Sequence, residues 1–222
     1  ATIDYEILRG EIPIHSINVA YMLEDSIGYI KINRFSATTL KEYKVAFNSL
    51  PRSKLKGLVL DLRGNPGGYL SAAIKLADEF LEDNKMIVYT EGKSHPHAPY
   101  YSTSQGAFKT GRLVVLIDEG AASASEIVAG ALQDNDRGVI MGRRSFGKGL
   151  VQEQYDFPDG SAIRLTIARY YTPTGRCIQR PYDKGLKEYY YEIYKRNSDE
   201  KLLSMDSSYF ADSLRFITPG GK

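Results

Sequence analysis

A serine, a lysine and two glycine-rich turns are the residues of this sequence whose types and spacing could do chemistry. Ser123 lies in the segment DEGAASASEIVAGALQD, where small residues follow an apolar strand and lead into a helix. N–H groups in the first turn of a helix have no intrahelical acceptor, and the helix dipole is positive there. A hydroxyl at this position therefore lies beside donors that can hold an oxyanion. Ser123 could equally be an ordinary helix cap, and Ser125 is a rival that points to another side of the helix.

The second glycine turn follows a different strand, in the segment DLRGNPGGYL. Glycine allows backbone angles that other residues resist, and it lets a ligand approach the main chain closely. The backbone N–H of Gly67 or Gly68 could therefore be a second oxyanion donor. The same glycines would also serve a tight turn between a strand and a helix that binds nothing.

A nucleophilic serine needs a base, and the three histidines do not supply an evident one. His15, His95 and His97 lie in N-terminal or loop segments without a partner pattern. The HPH pair could in principle bind a metal, but no third ligand is evident, so we predict no metal site. A lysine can replace histidine when it loses its water, because burial disfavours the charged form.

Lys148 is the lysine that suits this role. It lies between two glycines and beside Phe146, Leu150 and Val151, a sparse apolar setting. If the segment is a strand of period two, Lys148 and Gln152 share a face, and the amide of Gln152 could orient the amine. The alternative is an exposed strand lysine.

The segment GRRSFGKGLVQ, residues 142–152, is also close to a phosphate-binding loop. That loop requires Ser or Thr after the lysine and a long helix to supply amides, whereas Gly149 follows here and the next residues are typical of a strand. We therefore predict no nucleotide site and no cofactor.

Composition narrows the class of protein. The 222 residues include 42% hydrophobic residues and carry a net charge of +2, which favours one substantial core and gives no basic footprint for nucleic acid. The apolar runs are of strand length, too short for a membrane span, and no signal-peptide pattern is present. Cys177 is the single cysteine, so no internal disulfide can form.

Periodicity predicts strands that alternate with helices. Apolar alternation predicts a hairpin or two strands over residues 2–8 and 12–22, and a polar, proline-containing loop is expected over residues 93–111. Further strands are predicted in IGYIKINRF, KGLVLDL, MIVYTEG, RLVVLID, GVIMG and SAIRLTIARYY, and helices after Thr38, after RGNPGG, in SASEIVAGALQD and in the tyrosine-rich tail LKEYYYEIYKRNSDEK, whose tyrosines should pack on the body. Alternating units of this kind indicate an α/β fold with a mainly parallel sheet flanked by helices.

Five segments together resemble the carboxyl-terminal processing peptidases, or tail-specific proteases. They are GYIKINRF, LVLDLRGNPGGYL, EGAASASEIVAGALQD, GRRSFGKGLVQ and IRLTIARYYTPTGRCIQ, and the resemblance runs from about residue 14 to 179. Family members carry a serine and a lysine 25 residues apart, the spacing of Ser123 and Lys148. The resemblance implies Ser123 as nucleophile, Lys148 as base, Gln152 as a catalytic partner, and Asp134 as structural support.

The same resemblance implies the rest of the oxyanion hole and the class of fold. The backbone N–H groups of Ala124 and of the Gly67–Gly68 turn match the family's donors. The fold would be a Clp protease/crotonase-like α/β core with small N-terminal strands. The activity would be that of a serine endopeptidase that cuts proteins or peptides near their C-termini without metal or nucleotide. The protein would be bacterial and would work in the periplasm or otherwise outside the cytoplasm.

Two departures from the family pattern affect the predicted domains. In the family, a PDZ domain that binds the tail of the substrate precedes the catalytic core. Residues 1–16 resemble only the last strands of that domain, or the linker that follows it. Residues 17–222 resemble the catalytic core, shortened at its C-terminus. The missing tail-binding domain keeps open an alternative, a catalytically inactive peptide-binding or scaffold module of the same fold. The substrate, and any homo-oligomer or regulatory partner, are left open.

Overall fold

The computed structural model describes Ile3, Tyr5, Arg9, Gly10, residues 14–198 and residues 215–222. Of the hairpin or strand pair predicted over residues 2–8 and 12–22, the first segment lies mainly outside the described residues, and the domain division predicted at residue 16 stays a prediction. Within the described part the chain forms two sheets and four helices. The strands are β1 (Ile17–Glu24), β2 (Ile27–Ile32), β3 (Gly57–Asp61), β4 (Met86–Glu91), β5 (Ala98–Tyr101), β6 (Arg112–Ile117), β7 (Val139–Gly142), β8 (Leu150–Asp156) and β9 (Ala162–Tyr171). The helices are α1 (Thr39–Ser49), α2 (Leu70–Asp78), α3 (Ala124–Asp134) and α4 (Leu186–Ser198).

The larger sheet has five strands in the order β1-β2-β3-β6-β7. Only the β1–β2 pair is antiparallel; the other three pairs are parallel. The prediction of a mainly parallel α/β sheet is confirmed. A second sheet, β5-β4-β9-β8, is antiparallel throughout, and its existence was not predicted.

The hydrophobic core lies between the large sheet and helices α1, α2 and α3. Helical spacing places Tyr43 and Phe47 on the inner side of α1, where Tyr43 also packs against the ring of Phe80 and Phe47 against that of Phe108. From β2 and β3, alternate residues such as Ile30 and Leu58 are fully buried in the same cluster, as a period of two requires. Each such side chain contributes about 1.5–3 kcal/mol by leaving water.

Two expectations about the second sheet need correction. The stretch predicted as loop contains β5, because residues 98–101 pair with β4 at the edge of the sheet; Pro99 is compatible with an edge strand, which can leave one side unpaired. Ile163 and Leu165 lie on one side of β9 as predicted, but both are exposed.

The tyrosine-rich tail forms α4, and its tyrosines divide into two groups. The rings of Tyr189 and Tyr190 contact Phe146, so part of the helix packs on the body as expected. Tyr191 and Tyr194 are exposed, and Tyr190 is exposed as well in spite of its contact with Phe146. The contact with Phe146 brings α4 against the loop that carries Lys148.

Candidate active site

Three chain segments meet at the carboxyl edge of the parallel sheet. The turn after β3 contains the glycines, the turn after β6 contains Ser123, and the loop after β7 contains Lys148. Parallel strands place their carboxyl ends along one edge, which is where α/β proteins usually bind ligands. The order of strands therefore accounts for the meeting of segments that are far apart in sequence.

Ser123 immediately precedes α3 and has a backbone conformation that is rare outside glycine. Its φ is 54° and its ψ is −111°. A non-glycine residue held in such a region costs about 1–3 kcal/mol, which the surrounding contacts must offset, and such residues concentrate at functional sites. The next residue, Ala124, is fully buried, and its N–H has no acceptor within the described part of the chain.

The glycine turn packs directly on this serine. A methyl group added at Gly67, whose φ is +95°, would lie 2.8 Å from Cβ of Ser123 and 2.9 Å from the nitrogen of Ala124. No side chain fits there, so glycine is required both by the backbone angle and by the close approach. The two sequence motifs therefore form one site.

Asn65 holds the two turns together, and sequence reasoning missed it. It is fully buried, its Nδ2 donates to the carbonyl of Ile32, and its own carbonyl accepts the N–H of Ala122 and the hydroxyl of Ser125. Its Oδ1 accepts the N–H of Gly67 at 2.8 Å. Ser125, the rival nucleophile, is fully buried and engaged in this structural contact.

The contact with Asn65 also distinguishes the two candidate glycine donors. The N–H of Gly67 is taken by the Asn65 side chain. That of Gly68 has no partner among the described residues, and Gly68 is exposed. Gly68 and Ala124 therefore present the N–H groups that remain available for an oxyanion.

Glu126 joins the serine to the lysine loop through four hydrogen bonds. Its Oε2 accepts the backbone N–H of Ser123 at 2.8 Å and that of Lys148 at 2.9 Å. Its Oε1 accepts the N–H of Gly147 at 2.6 Å and the hydroxyl of Ser145 at 2.7 Å. Burial raises the pKa of Glu126, while the four hydrogen bonds act to lower it. The carboxylate fixes the backbone of both candidate catalytic residues.

The side chain of Lys148 is not shielded as the sequence led us to expect. The residue is exposed, and its ammonium has no hydrogen bond or ion pair with the residues that the structure describes. The main chain of Lys148 is thus held beside that of Ser123, whereas its amine faces solvent.

Gln152 does not contact the lysine through a shared strand face. β8 begins only at Leu150, so Lys148 lies in the preceding loop, and a bulge between Val151 and Gln152 interrupts the alternation. Gln152 is exposed, and no hydrogen bond of its side chain joins it to the described residues. The period-two argument fails for this pair because the strand starts later than predicted.

Asp134, at the end of α3, fixes the turn after β9. It is 1% exposed, and its carboxylate accepts the N–H and hydroxyl of Thr174 and pairs with Arg176 at 3.2 Å. These contacts tie the helix that begins at Ser123 to the second sheet.

A buried acid at the end of β3 was also missed by sequence reasoning. Asp61 accepts hydrogen bonds from the hydroxyl of Tyr29 at 2.5 Å and from two nitrogens of the Arg63 guanidinium, and Lys31 lies 3.6 Å away. Burial alone would raise the pKa of Asp61, but the hydrogen bonds from Arg63 and Tyr29 lower it to about 2. Burial and the hydrogen bond to Asp61 raise the pKa of Tyr29 to about 12.

The segments considered for metal and nucleotide have ordinary surroundings. His97 lies 3.5 Å from Glu91 and against the ring of Tyr89, and His95 contacts Thr90. Within residues 14–198 and 215–222, no group of three or more His, Cys, Asp or Glu side chains is placed to hold a metal ion. The loop 142–149 leads into a strand, not a helix. No helix in the described ranges has the length and apolar character to cross a membrane.

Comparison with known proteins gives consistent matches. The model of peptidase family S41 matches residues 26–188. A carboxy-terminal-processing protease of Bartonella bacilliformis is 42% identical over 182 residues, which are 80% of this chain and 41% of that protein. The carboxy-terminal processing protease CtpA of Bacillus subtilis is 38% identical over 185 residues, 83% of this chain and 39% of that protein. The chain thus spans about two fifths of the length of these relatives.

A solved structure agrees with the sequence matches. The photosystem II D1 C-terminal processing protease superposes with a TM-score of 0.68 at 34% identity, over 76% of this chain and 46% of that one. The α/β architecture described above is therefore that of a known C-terminal processing protease.

Proposed function

The chain belongs to peptidase family S41, and we propose that it is a serine endopeptidase that cuts protein or peptide substrates near their C-termini with Ser123 as nucleophile and Lys148 as base. The substrate class follows from the printed names of its relatives, which are carboxy-terminal processing proteases. Those names give no support to a non-catalytic scaffold.

The observation that carries the proposal is the contact between the glycine turn and the serine. Ser123 has a strained backbone just before α3, and Gly67 packs against its Cβ. Two N–H groups beside it, those of Ala124 and Gly68, have no acceptor among the described residues. A site of this kind can present a hydroxyl together with donors for the charge that develops on a carbonyl oxygen. Such donors typically supply a factor of about 10²–10³ in rate.

The proposed reaction has two halves. In the first, Nζ of neutral Lys148 takes the proton of Ser123 Oγ, which attacks the scissile carbonyl carbon while the N–H groups of Ala124 and Gly68 hold the oxyanion. The C–N bond then breaks, and the leaving amine takes the proton from Lys148. In the second half, Lys148 takes a proton from water, the hydroxide attacks the acyl-enzyme ester, and Ser123 recovers its proton as the new carboxylate leaves.

The amine of Lys148 is exposed, so its surroundings must change before it can act as a base in this reaction. An ammonium in water stays charged and cannot act as a base, so we propose that bound substrate covers the loop 142–149 and removes water from the amine. Glu126 already holds the two backbones together, so only the flexible four-carbon side chain has to turn. Apo sites often have longer contacts than the reacting complex.

Peptide cleavage by four proteins tests the proposal. We expect Ser123→Ala and Lys148→Ala each to lower kcat/KM by about 10³-fold or more, while His97→Ala behaves like the unaltered protein. An active-site serine reagent should form a covalent adduct on Ser123. Unchanged turnover in Lys148→Ala would reject the dyad, and no adduct together with no turnover would reject the protease.

The family resemblance also leads us to propose that the protein works outside the bacterial cytoplasm. Fractionation of cells that express the full-length gene tests this location, since recovery of the protein with the cytoplasmic contents would contradict it.

A further inference from the structure

Three arginine side chains gather around one glutamate behind the lysine loop. Arg180 and Arg196 both donate to Glu192 of α4, Arg180 through Nη1 and Arg196 through Nε. Arg144 lies close enough that the charges of Arg196 and Arg180 contribute to lowering its pKa, although burial is the first cause. We refer to Arg144, Arg180 and Arg196 as the arginine cluster.

Two of these guanidinium groups are buried with unused donors. The side chains of Arg180 and Arg196 are 6% and 9% exposed. Nε and Nη2 of Arg180 and Nη2 of Arg196 are inaccessible to water and have no acceptor among the described residues. A buried donor without a partner typically costs about 1–3 kcal/mol, more when the group is charged, so these atoms require an explanation.

Aromatic stacking explains the orientation of Arg180 but not its unused donors. Its Cζ lies 3.9 Å from the ring centre of Tyr189 and 4.8 Å from that of Phe146. Such contacts stabilise the flat face of a guanidinium. Its N–H groups lie in the plane of the guanidinium, where the rings offer no acceptor, so the stacking leaves Nε and Nη2 without a partner.

Among the residues that the structure describes, the positive charge of the cluster is not balanced. Arg180 and Arg196 donate to Glu192, and the charge of Arg144 acts on the same carboxylate. Glu126 also acts on Arg144, but its oxygens already accept four hydrogen bonds. The pKa of Glu192 is lowered, since the hydrogen bond from Arg196 and the charges of the three arginines outweigh the effect of burial. Within the described part of the chain, the cluster therefore keeps excess positive charge and planar donors, which match the two oxygens of a carboxylate.

The arginine cluster is joined to the loop that carries Lys148. Nη1 of Arg196 donates to the carbonyl of Ser145 at 2.7 Å, and the N–H of Arg180 donates to the carbonyl of Gly147 at 3.1 Å. On their other side, the hydroxyl of Ser145 and the N–H of Gly147 bind Glu126. The loop is thus held between Glu126 and the arginine cluster.

From these contacts we propose that the arginine cluster is a carboxylate-binding site that receives a carboxylate of the peptide substrate. This inference rests on the proposed function for the identity of the ligand. Arg144 is the more exposed member of the cluster, whereas the side chains of Arg180 and Arg196 are buried. The carboxylate has two sources, the free C-terminus of the peptide or an Asp or Glu side chain, and both present the same two oxygens to the buried donors.

Equilibrium binding to the Ser123→Ala protein tests the proposal without turnover. One fluorescein-labelled peptide with an apolar tail is used in three forms, with a free C-terminal carboxylate, with a C-terminal amide, and as the amide with one internal Glu added. We expect one or both carboxylate forms to bind about 10-fold or more tightly than the plain amide. The form that binds identifies the source. Equal binding of all three, or binding of none, overturns the proposal.

Variants locate the effect on the arginine cluster. Arg196→Gln and Arg144→Gln should each remove most of the preference for the carboxylate form. Arg143→Gln is the matched control, because Arg143 neighbours Arg144 but is paired with Glu119 on the surface. Arg144 is exposed, so its replacement tests the site even if Arg196→Gln fails to fold, as a thermal melt will show. Retained preference in Arg144→Gln and in folded Arg196→Gln overturns the assignment.

The design separates this inference from the proposed protease activity. If the protein cleaves peptides but binds the carboxylate and amide forms equally, the proposed arginine site is overturned and the proposed protease function stands. If the protein prefers the carboxylate form but never cleaves a peptide, the proposed protease function is overturned and the proposed carboxylate site stands.

Discussion

Ser123 and Lys148 donate their backbone N–H groups to the same carboxylate oxygen, Oε2 of Glu126. This shared acceptor joins the start of α3 to the loop after β7, two segments that the sequence separates by a helix and a strand. It places the main chains of the two residues side by side even though the lysine side chain faces water.

Glu126→Gln should separate this pair. An amide offers one oxygen in place of two and turns its NH₂ group towards backbone donors, so at least one buried N–H loses its acceptor. We expect the free energy of unfolding to fall by about 2 kcal/mol and peptide turnover to fall at least about 10-fold. Denaturant unfolding and kcat/KM measure the two effects.

Glu153→Gln is the control for Glu126→Gln. It removes the charge of an exposed carboxylate that accepts a hydrogen bond from the hydroxyl of Tyr155. It should leave both quantities nearly unchanged, as surface replacements usually do. Glu126→Gln with unaltered stability and turnover would contradict a linking role for the carboxylate.

Gly67→Ala should damage the site more than Gly64→Ala. Both glycines have positive φ, but an added methyl at Gly67 meets the carbonyl of Ala122 at 2.6 Å and Cβ of Ser123 at 2.8 Å, whereas one at Gly64 meets nothing within 4 Å. Gly64→Ala should cost about 1 kcal/mol of backbone strain. Gly67→Ala should also displace Ser123, the proposed nucleophile, and a displacement near 1 Å can lower turnover about 10²-fold.

Kinetics on folded protein, with melting temperatures of both variants, check this difference. Equal turnover in the two would mean that the close approach of Gly67 to Ser123 has no functional role.

Acid should destabilise the fold through Asp61. Its pKa is lowered to about 2 in the folded state, against about 3.9 in an unfolded chain. The ionised group therefore stabilises the fold above about pH 4, and this contribution is lost as the pH falls through about 2.

Asp61→Asn should be less stable at neutral pH and show a smaller loss of stability between pH 4 and 2 than the unaltered protein. Urea unfolding across this range provides the measurement. Parallel curves for the two proteins would exclude Asp61 as the source. The raised pKa of Glu126 acts with the opposite sign and above this window, so it does not mask the comparison.

Asp134→Ala should lower stability without changing the chemistry. The substitution removes the acceptor of Thr174 and the partner of Arg176, and hydrogen bonds to a charged group contribute about 1.5–3 kcal/mol each. We expect a lower melting temperature with kcat unchanged per folded molecule. A large fall in kcat for fully folded variant protein would assign Asp134 a role beyond support.

The sequence predicted those elements whose signal is local. The alternation of β3 and β6 and the helical spacing of α1 and α3 are properties of short windows, so they were found with nearly correct ends. The four-residue strand β5 was missed, because the local sequence is polar and contains proline. Its pairing with β4 is a tertiary contact that such a sequence does not indicate.

The site divides in the same way. Ser123 and the glycine turn could be placed at one edge of the sheet because parallel strands dictate it. The hydrogen bond from the Gly67 N–H to Asn65 and the exposure of Lys148 depend on how segments far apart in sequence pack together, so the sequence did not predict them. Glu126 did have a local signal, since Ser123 followed three residues later by Glu is the pattern of a capping box, and reading that pattern would have found it.

Ser123, Glu126 and Lys148 all lie on the crossover that leaves β6, passes through α3 and β7, and reaches the start of β8. Their relative spacing is therefore an internal property of one continuous stretch of chain. New termini opened at the turn between β8 and β9 would leave that stretch uncut, so a circular permutant should keep its chemistry even if it melts at a lower temperature. An insertion between α3 and β7, by contrast, would shift Lys148 relative to Ser123 and Glu126.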